Sequence, residues 1–143
     1  MDTRAEPGST VNEVRLPIRW RDLDAYGHVN NAVYLTYLEE CRDGCVAAAL
    51  GPIADTWDFV LAHVSIDYRS ELRLEDGAVV VRCRIESFGR SSVRTREEIR
   101  KLDGSLAAEA ASVVVPRAPD GSGSRTLTDE ERAALARATG TSS

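Results

Sequence analysis

Trp20-Arg-Asp-Leu-Asp-Ala-Tyr-Gly-His-Val-Asn-Asn-Ala-Val-Tyr-Leu-Thr-Tyr-Leu-Glu-Glu-Cys-Arg42 is the stretch on which the reading of this chain turns. It sets a carboxylate, a glycine and a helix start within a few residues of one another. Beyond Gly27 the apolar positions Val33, Tyr34, Tyr37, Leu38, Cys41, Cys45 and Ala48 recur at helical spacing. This periodicity predicts a long helix from about Asn31 to Leu50, stopped by Gly51 and Pro52. Asp24 therefore falls just ahead of a helix N-terminus, where unpaired N–H groups and aligned peptide dipoles carry about half a positive charge. Such a field favours an ionised carboxylate and can also hold an oxyanion.

Working outward, Val14, Leu16, Ile18 and Trp20 alternate with polar residues and Pro17, the pattern of a half-buried strand, and Pro17 predicts that it is at a sheet edge or paired irregularly. Downstream, strands are expected over Phe59 to Tyr68, Ala78 to Phe88, Ser91 to Leu102 and Ser105 to Val115, with hairpin turns at Gly89-Arg90 and Asp103-Gly104. Thr128-Asp-Glu-Glu131 has the spacing of a capping box and opens a short polar helix through Arg137, expected to be peripheral. The order is a strand, one long apolar helix, then an antiparallel meander. That order predicts an α+β fold with a sheet of about five strands wrapped around the helix. Residues 1–10 read as a flexible arm, 11–117 as the folded domain, and 118–143 as a linker and the short C-terminal helix.

The 143 residues suffice for one domain with a real core. A net charge of −5 argues against broad nucleic-acid binding, which needs a basic surface to displace counterions. No apolar run approaches the ~20 residues of a membrane span, and the N-terminus lacks the charged-then-apolar order of a signal peptide. Three cysteines with no C-x-x-C pair suggest neither a disulfide framework nor a zinc knuckle, so a reducing, cytoplasmic location is expected.

Asp24-Ala-Tyr-Gly27-His28-Val29-Asn30-Asn31, followed by Tyr34, Tyr37 and Glu39, resembles the signature of hotdog-fold acyl-CoA thioesterases of the 4-hydroxybenzoyl-CoA thioesterase type. The resemblance runs from about Leu16 to Pro116 and takes in Ile66-Asp-Tyr-Arg69. It implies a homodimer, often a dimer of dimers, with the active site at the subunit interface. Asp24 would act there as general base or nucleophile, and the backbone amide of Asn31 would bind the thioester oxygen. Gly27 and His28 belong to the same turn. Arg90, Ser91 and Ser92 would contact coenzyme A phosphates; Tyr34 and His63 are further candidate substrate contacts, with a core or interface position as the default for His63 in the second strand. Coenzyme A enters as part of the substrate, and neither a metal nor another cofactor is expected. The aromatic acyl pocket of the founding enzyme has no recognisable counterpart here.

Each of these residues also has a plainer reading. Asp24 could serve only the turn, and Asn30 and Asn31 could simply cap and shape the helix start. His28, four residues after Asp24, could make a structural hydrogen bond or move protons with Asp24, as in a hotdog hydratase or dehydratase. The spacing of Asp22 and Asp24 is weak evidence for a metal. Cys41 and Cys45, one turn apart, read as small buried apolar residues. Glu39 could be a helix carboxylate acid or an interface salt bridge. Arg90 could be an ordinary exposed turn residue. A non-catalytic acyl-thioester-binding dimer is the third reading, because fold alone does not fix function.

Overall fold

The computed structural model describes residues 11–140. The expected arm at 1–10 lies outside the described residues. Strand β1, Val11–Pro17, is followed by a single 3-10 turn at Trp20–Asp22 and then by helix α1, Asn31–Leu50. Strands β2 (Phe59–Tyr68), β3 (Ala78–Phe88), β4 (Val93–Lys101) and β5 (Leu106–Pro116) follow, and helix α2, Asp129–Thr139, closes the described chain. The strands form one antiparallel sheet in the order β1-β3-β4-β5-β2.

The sheet lies around α1 as expected, and the fold is α+β of the hotdog type. Tyr34, Tyr37, Leu38, Cys41, Cys45 and Val46 face inward from α1 and meet Val79, Val81, Cys83 and Ile85 of β3. Asn30 caps the helix by accepting a hydrogen bond from the Ala32 N–H at 2.9 Å. Gly51 continues in a helical conformation at the far end, so Pro52 rather than a left-handed glycine turns the chain away.

Three expectations are corrected. The first strand ends at Pro17, and Trp20 is 80% exposed in the 3-10 turn. The Arg19 N–H is spent on the Asp22 carboxylate, so the ladder with β3 stops there. Only β3, β4 and β5 form a meander: β1 pairs with β3, while β2 crosses to the outer side of β5. Finally, α2 is not peripheral. Leu135 is fully buried, with Leu127, Ala134 and Ala138 nearly so, and the helix packs on β3 and α1. Its polar composition hid a narrow stripe of one leucine and several alanines, whose small side chains let it approach closely.

Candidate active site

The turn from Leu23 to Val29 is closed by a bridge between those two residues, and Asp24 sits inside it. The Asp24 N–H donates to the His28 carbonyl at 2.7 Å. One carboxylate oxygen, Oδ1, accepts from the Tyr26 N–H at 2.9 Å and from the His28 N–H at 3.2 Å. Among the described residues nothing bonds the other oxygen. Gly27 has a φ of +83°, the left-handed region that an L side chain rarely adopts, so glycine is needed here for its backbone. The turn then feeds the helix: the Asn30 N–H donates to the Asp22 carbonyl at 2.8 Å. Among the described residues no group accepts from the Asn31 N–H, which is the first of α1.

Asp22, two residues earlier, is a different kind of carboxylate. It is 2% exposed and accepts from the Arg19 N–H, the Arg19 guanidinium and the Tyr37 hydroxyl, the last at 2.8 Å. Burial alone would raise its pKa, but these hydrogen bonds outweigh burial and hold it below the usual carboxylate value. Burial and the Asp22 charge push the Tyr37 hydroxyl well above its ordinary range. Asp22 thus fixes the base of the loop that carries Asp24. The alternation of the strand reading, which ran through Trp20, gave no signal for it.

His28 is joined to Asp24 through its backbone. Its imidazole Nε2 instead lies 3.4 Å from Glu71, which also pairs with Arg73 at 2.9 Å. Tyr34 has a task other than the expected substrate contact: it is 3% exposed, donates to the Ser70 carbonyl at 3.2 Å and accepts from the Leu72 N–H at 3.1 Å. The Tyr68 ring packs edge-on against it, and the Tyr68 hydroxyl donates to the Asn31 carbonyl at 3.1 Å. Neither tie could be read from local spacing, since both bridge positions more than thirty residues apart.

Arg90, Ser91 and Ser92 stand elsewhere. They form the β3–β4 turn, closed by the Gly89 N–H donating to the Ser92 carbonyl at 2.9 Å. Helix α1 runs along β3 in the same sense, Cys41 bonding the Val81 carbonyl and Cys45 the Cys83 carbonyl. The turn is therefore at the opposite end of the sheet from Asp24, roughly 30 Å away by the length of a twenty-residue helix. One chain does not bring the two together. His63 is exposed in the middle of the edge strand β2, away from both.

Glu39 is exposed and lines a groove of about 620 Å³ together with Asp43, Ala47, Trp57, Phe59 and Leu61. Beneath it lies a buried polar cluster that the sequence analysis missed. Glu97 accepts from Arg42 at 2.6 Å and from the Ser112 hydroxyl at 2.8 Å, and Thr95 donates to it at 3.0 Å. The signal was present in β4, where Thr95, Glu97 and Ile99 share the inward face. Burial pushes the Cys41 thiol up to about 12, so it stays protonated and apolar in character, and the hydrogen bond with Cys45, and after it burial, raises the Cys83 thiol.

Residues 18–121 match the model of the thioesterase-like superfamily. The chain is 30% identical over 101 residues to the long-chain acyl-CoA thioesterase FadM of Escherichia coli strain K12, covering 68% of this chain and 76% of FadM. It superposes on a thioesterase from Thermus thermophilus, solved with coenzyme A and zinc, with a TM-score of 0.80 at 31% identity, covering 96% of this chain and all of the other. A second solved structure, the putative thioesterase PA2801 of Pseudomonas aeruginosa, gives 0.71 at 26% identity, with coverage of 87% and 97%. The matched span contains the Asp24 turn, the whole of α1 and all strands but β1. The chain belongs to the thioesterase-like superfamily, in its hotdog-fold form.

Proposed function

We propose that this protein is an acyl-CoA thioesterase of the 4-hydroxybenzoyl-CoA thioesterase type, with Asp24 working on the thioester carbon and the Asn31 N–H on its oxygen. The observation that carries this reading is the asymmetry of the Asp24 carboxylate. Two N–H groups hold Oδ1 and aim the side chain, while Oδ2 is left for chemistry in the turn that leads into an unengaged helix N–H. The carboxylate takes a proton from water as it adds to the carbonyl carbon, or adds itself and forms an anhydride that water then opens. Both routes pass through a tetrahedral oxyanion, and both release the carboxylic acid and the thiol of coenzyme A. An N–H at the positive end of a helix donates to that oxyanion more strongly than to the starting carbonyl, which is what lowers the barrier. The name of FadM supports the acyl-CoA class, and the ligand of the Thermus protein supports coenzyme A. The three buried free cysteines fit a reducing, cytoplasmic setting.

The separation of Asp24 from Arg90 supports a homodimer, with a dimer of dimers as its further assembly. Strand β2 is ten residues long, lies at the sheet edge and is largely exposed, with its own Val60 and Leu61 open and Trp57 open just before it. Two copies pairing β2 to β2 about a two-fold axis run antiparallel. The Phe59 end of one strand then meets the Tyr68 end of the other, and Arg90 of one copy approaches Asp24 of its mate. Light scattering at micromolar concentration should give twice the chain mass or a higher even multiple, and a monomer overturns this arrangement.

Thiol release from short, long and aromatic acyl-CoAs tests the activity. Turnover is expected for the unmodified protein and is lost in Asp24→Asn. Full turnover by a folded Asp24→Asn protein removes Asp24 from the mechanism.

A further inference from the structure

We propose that helix α2 and the residues leading into it position the β3–β4 turn for coenzyme A, through Arg132 and the backbone N–H of Leu127. This inference rests on the reading that Arg90, Ser91 and Ser92 contact the coenzyme A phosphates. A tight hairpin turn points carbonyls outward, and a turn at a sheet end has no neighbouring strand to bond them. Here three consecutive residues are gripped by one distant segment. The Arg132 guanidinium lies 5.3 Å above the Phe88 ring and donates to the Gly89 carbonyl at 3.0 Å. The Leu127 N–H donates to the Arg90 carbonyl at 3.0 Å.

The gripping segment is itself anchored. Leu127 is 3% exposed, Leu135 is fully buried, and the Thr128 and Glu131 capping box fixes the first turn of α2. Arg125 adds a paired contact to Glu131 at 2.8 and 2.9 Å. The result is a turn whose backbone is fixed while the Arg90 side chain is exposed, with no bonding partner among the described residues. A phosphate-binding side chain on a fixed backbone loses less freedom when the ligand arrives, so the contribution of α2 appears in substrate binding. Arg132 is a positioning residue in this account and touches no substrate.

The test uses the full chain and two substrates with one acyl group: the acyl-CoA turned over best, and the matching N-acetylcysteamine thioester, which lacks the nucleotide and its phosphates. Arg132→Ala should raise KM for the acyl-CoA about 3- to 10-fold. It should leave kcat and the truncated thioester unchanged, and Arg132→Lys, which can still donate to the Gly89 carbonyl, should recover most of the loss. Arg90→Ala is the control for the contact itself and should raise the same KM at least as much. An Arg90→Ala effect without an Arg132→Ala effect overturns the role of α2. No effect of Arg90→Ala overturns the underlying contact instead. Equal losses on both substrates show that Arg132 is only structural. If Arg132→Ala fails to fold, Phe88→Leu, which removes the ring beneath the guanidinium, carries the same expectation and the same refutation.

Discussion

The two ends of the sheet hold their turns by different balances of local and distant contacts. At the Asp24 end the internal ties are local, Asp24 to His28, Tyr26 to Asp24 and Asn30 to Asp22, two to eight residues apart, and the loop is docked by the Val29 N–H donating to the Leu72 carbonyl at 2.8 Å. At the other end the Gly89 to Ser92 turn is held by Leu127 and Arg132, almost forty or more residues away. The first kind of site takes its internal shape from a short motif and its place in the fold from the segment that leads into β3. The second depends on a separate helix being docked, so its precision is only as good as that docking.

If the comparison is right, the largest effects belong to the end whose turn is shaped locally. Asp24→Asn keeps the turn, because an amide oxygen can still accept from Tyr26 and His28, but it removes the base or nucleophile. A loss of roughly 10²- to 10⁴-fold in kcat is expected. Asn31→Pro is the sharper variant. Asn31 is the first residue of α1, where proline is well tolerated, and Asn30 already has the extended φ of −59° and ψ of 136° that a following proline demands. The helix should form as before while the one N–H assigned to the oxyanion disappears. A drop of roughly 10²- to 10³-fold in kcat, with unchanged circular dichroism, is expected. Normal turnover in that variant would separate the helix start from the chemistry.

Asp22→Asn acts one layer deeper. It removes the charge that Arg19 and Tyr37 serve, at a cost of about 2 kcal/mol in folding stability. The pH dependence carries the sign. The folded pKa of Asp22 lies below the ordinary 3.8, so its contribution is fully present above that value and is lost as pH falls through the folded value. Urea midpoints of the unmodified protein and Asp22→Asn should differ at neutral pH and converge below about pH 3.8. A gap that persists into acid would mean that shape rather than charge is what Asp22 supplies.

Legibility in the sequence followed the same division. Helix α1 and strands β2 and β3 were readable to the residue because their signals are periodic and local. So was the Asp24 turn, whose Gly27 and Asn30 each meet a local backbone need. Strand order was not readable: that β2 lies beyond β5 depends on a crossover that no window of residues contains. Tyr34 looked like a site residue because it stands in the motif, yet its hydroxyl is spent on Ser70 and Leu72. Arg42 ends the same stretch with no role readable from its spacing, and it is 3% exposed because its partner Glu97 arrives from another strand. Burial of a charge is decided by a distant countercharge, and sequence spacing carries no record of it.

The smallest expected effect tests the end that depends on docking. Thr128 accepts from the Glu131 N–H at 3.1 Å, and Glu131 accepts in return from the Thr128 N–H at 2.8 Å. The Arg125 guanidinium, and after it the Thr128 N–H, hold the Glu131 carboxyl below the usual glutamate value, so the box stays charged at neutral pH. Thr128→Ala deletes one half of this reciprocal cap, worth about 1 kcal/mol, or about 3 °C in Tm for a domain of this size. Among the described residues the Asp24 end shares no bond with α2, so hydrolysis of a truncated thioester should be unchanged at temperatures where the protein is folded. Amide exchange should rise first in α2 and in the Gly89 to Ser92 turn, because a fraying helix releases the Leu127 and Arg132 contacts together. Exchange that rises equally in the Leu23 to Val29 turn would mean that the two ends open as one unit, and that the turn at Asp24 is less self-sufficient than its local hydrogen bonds imply.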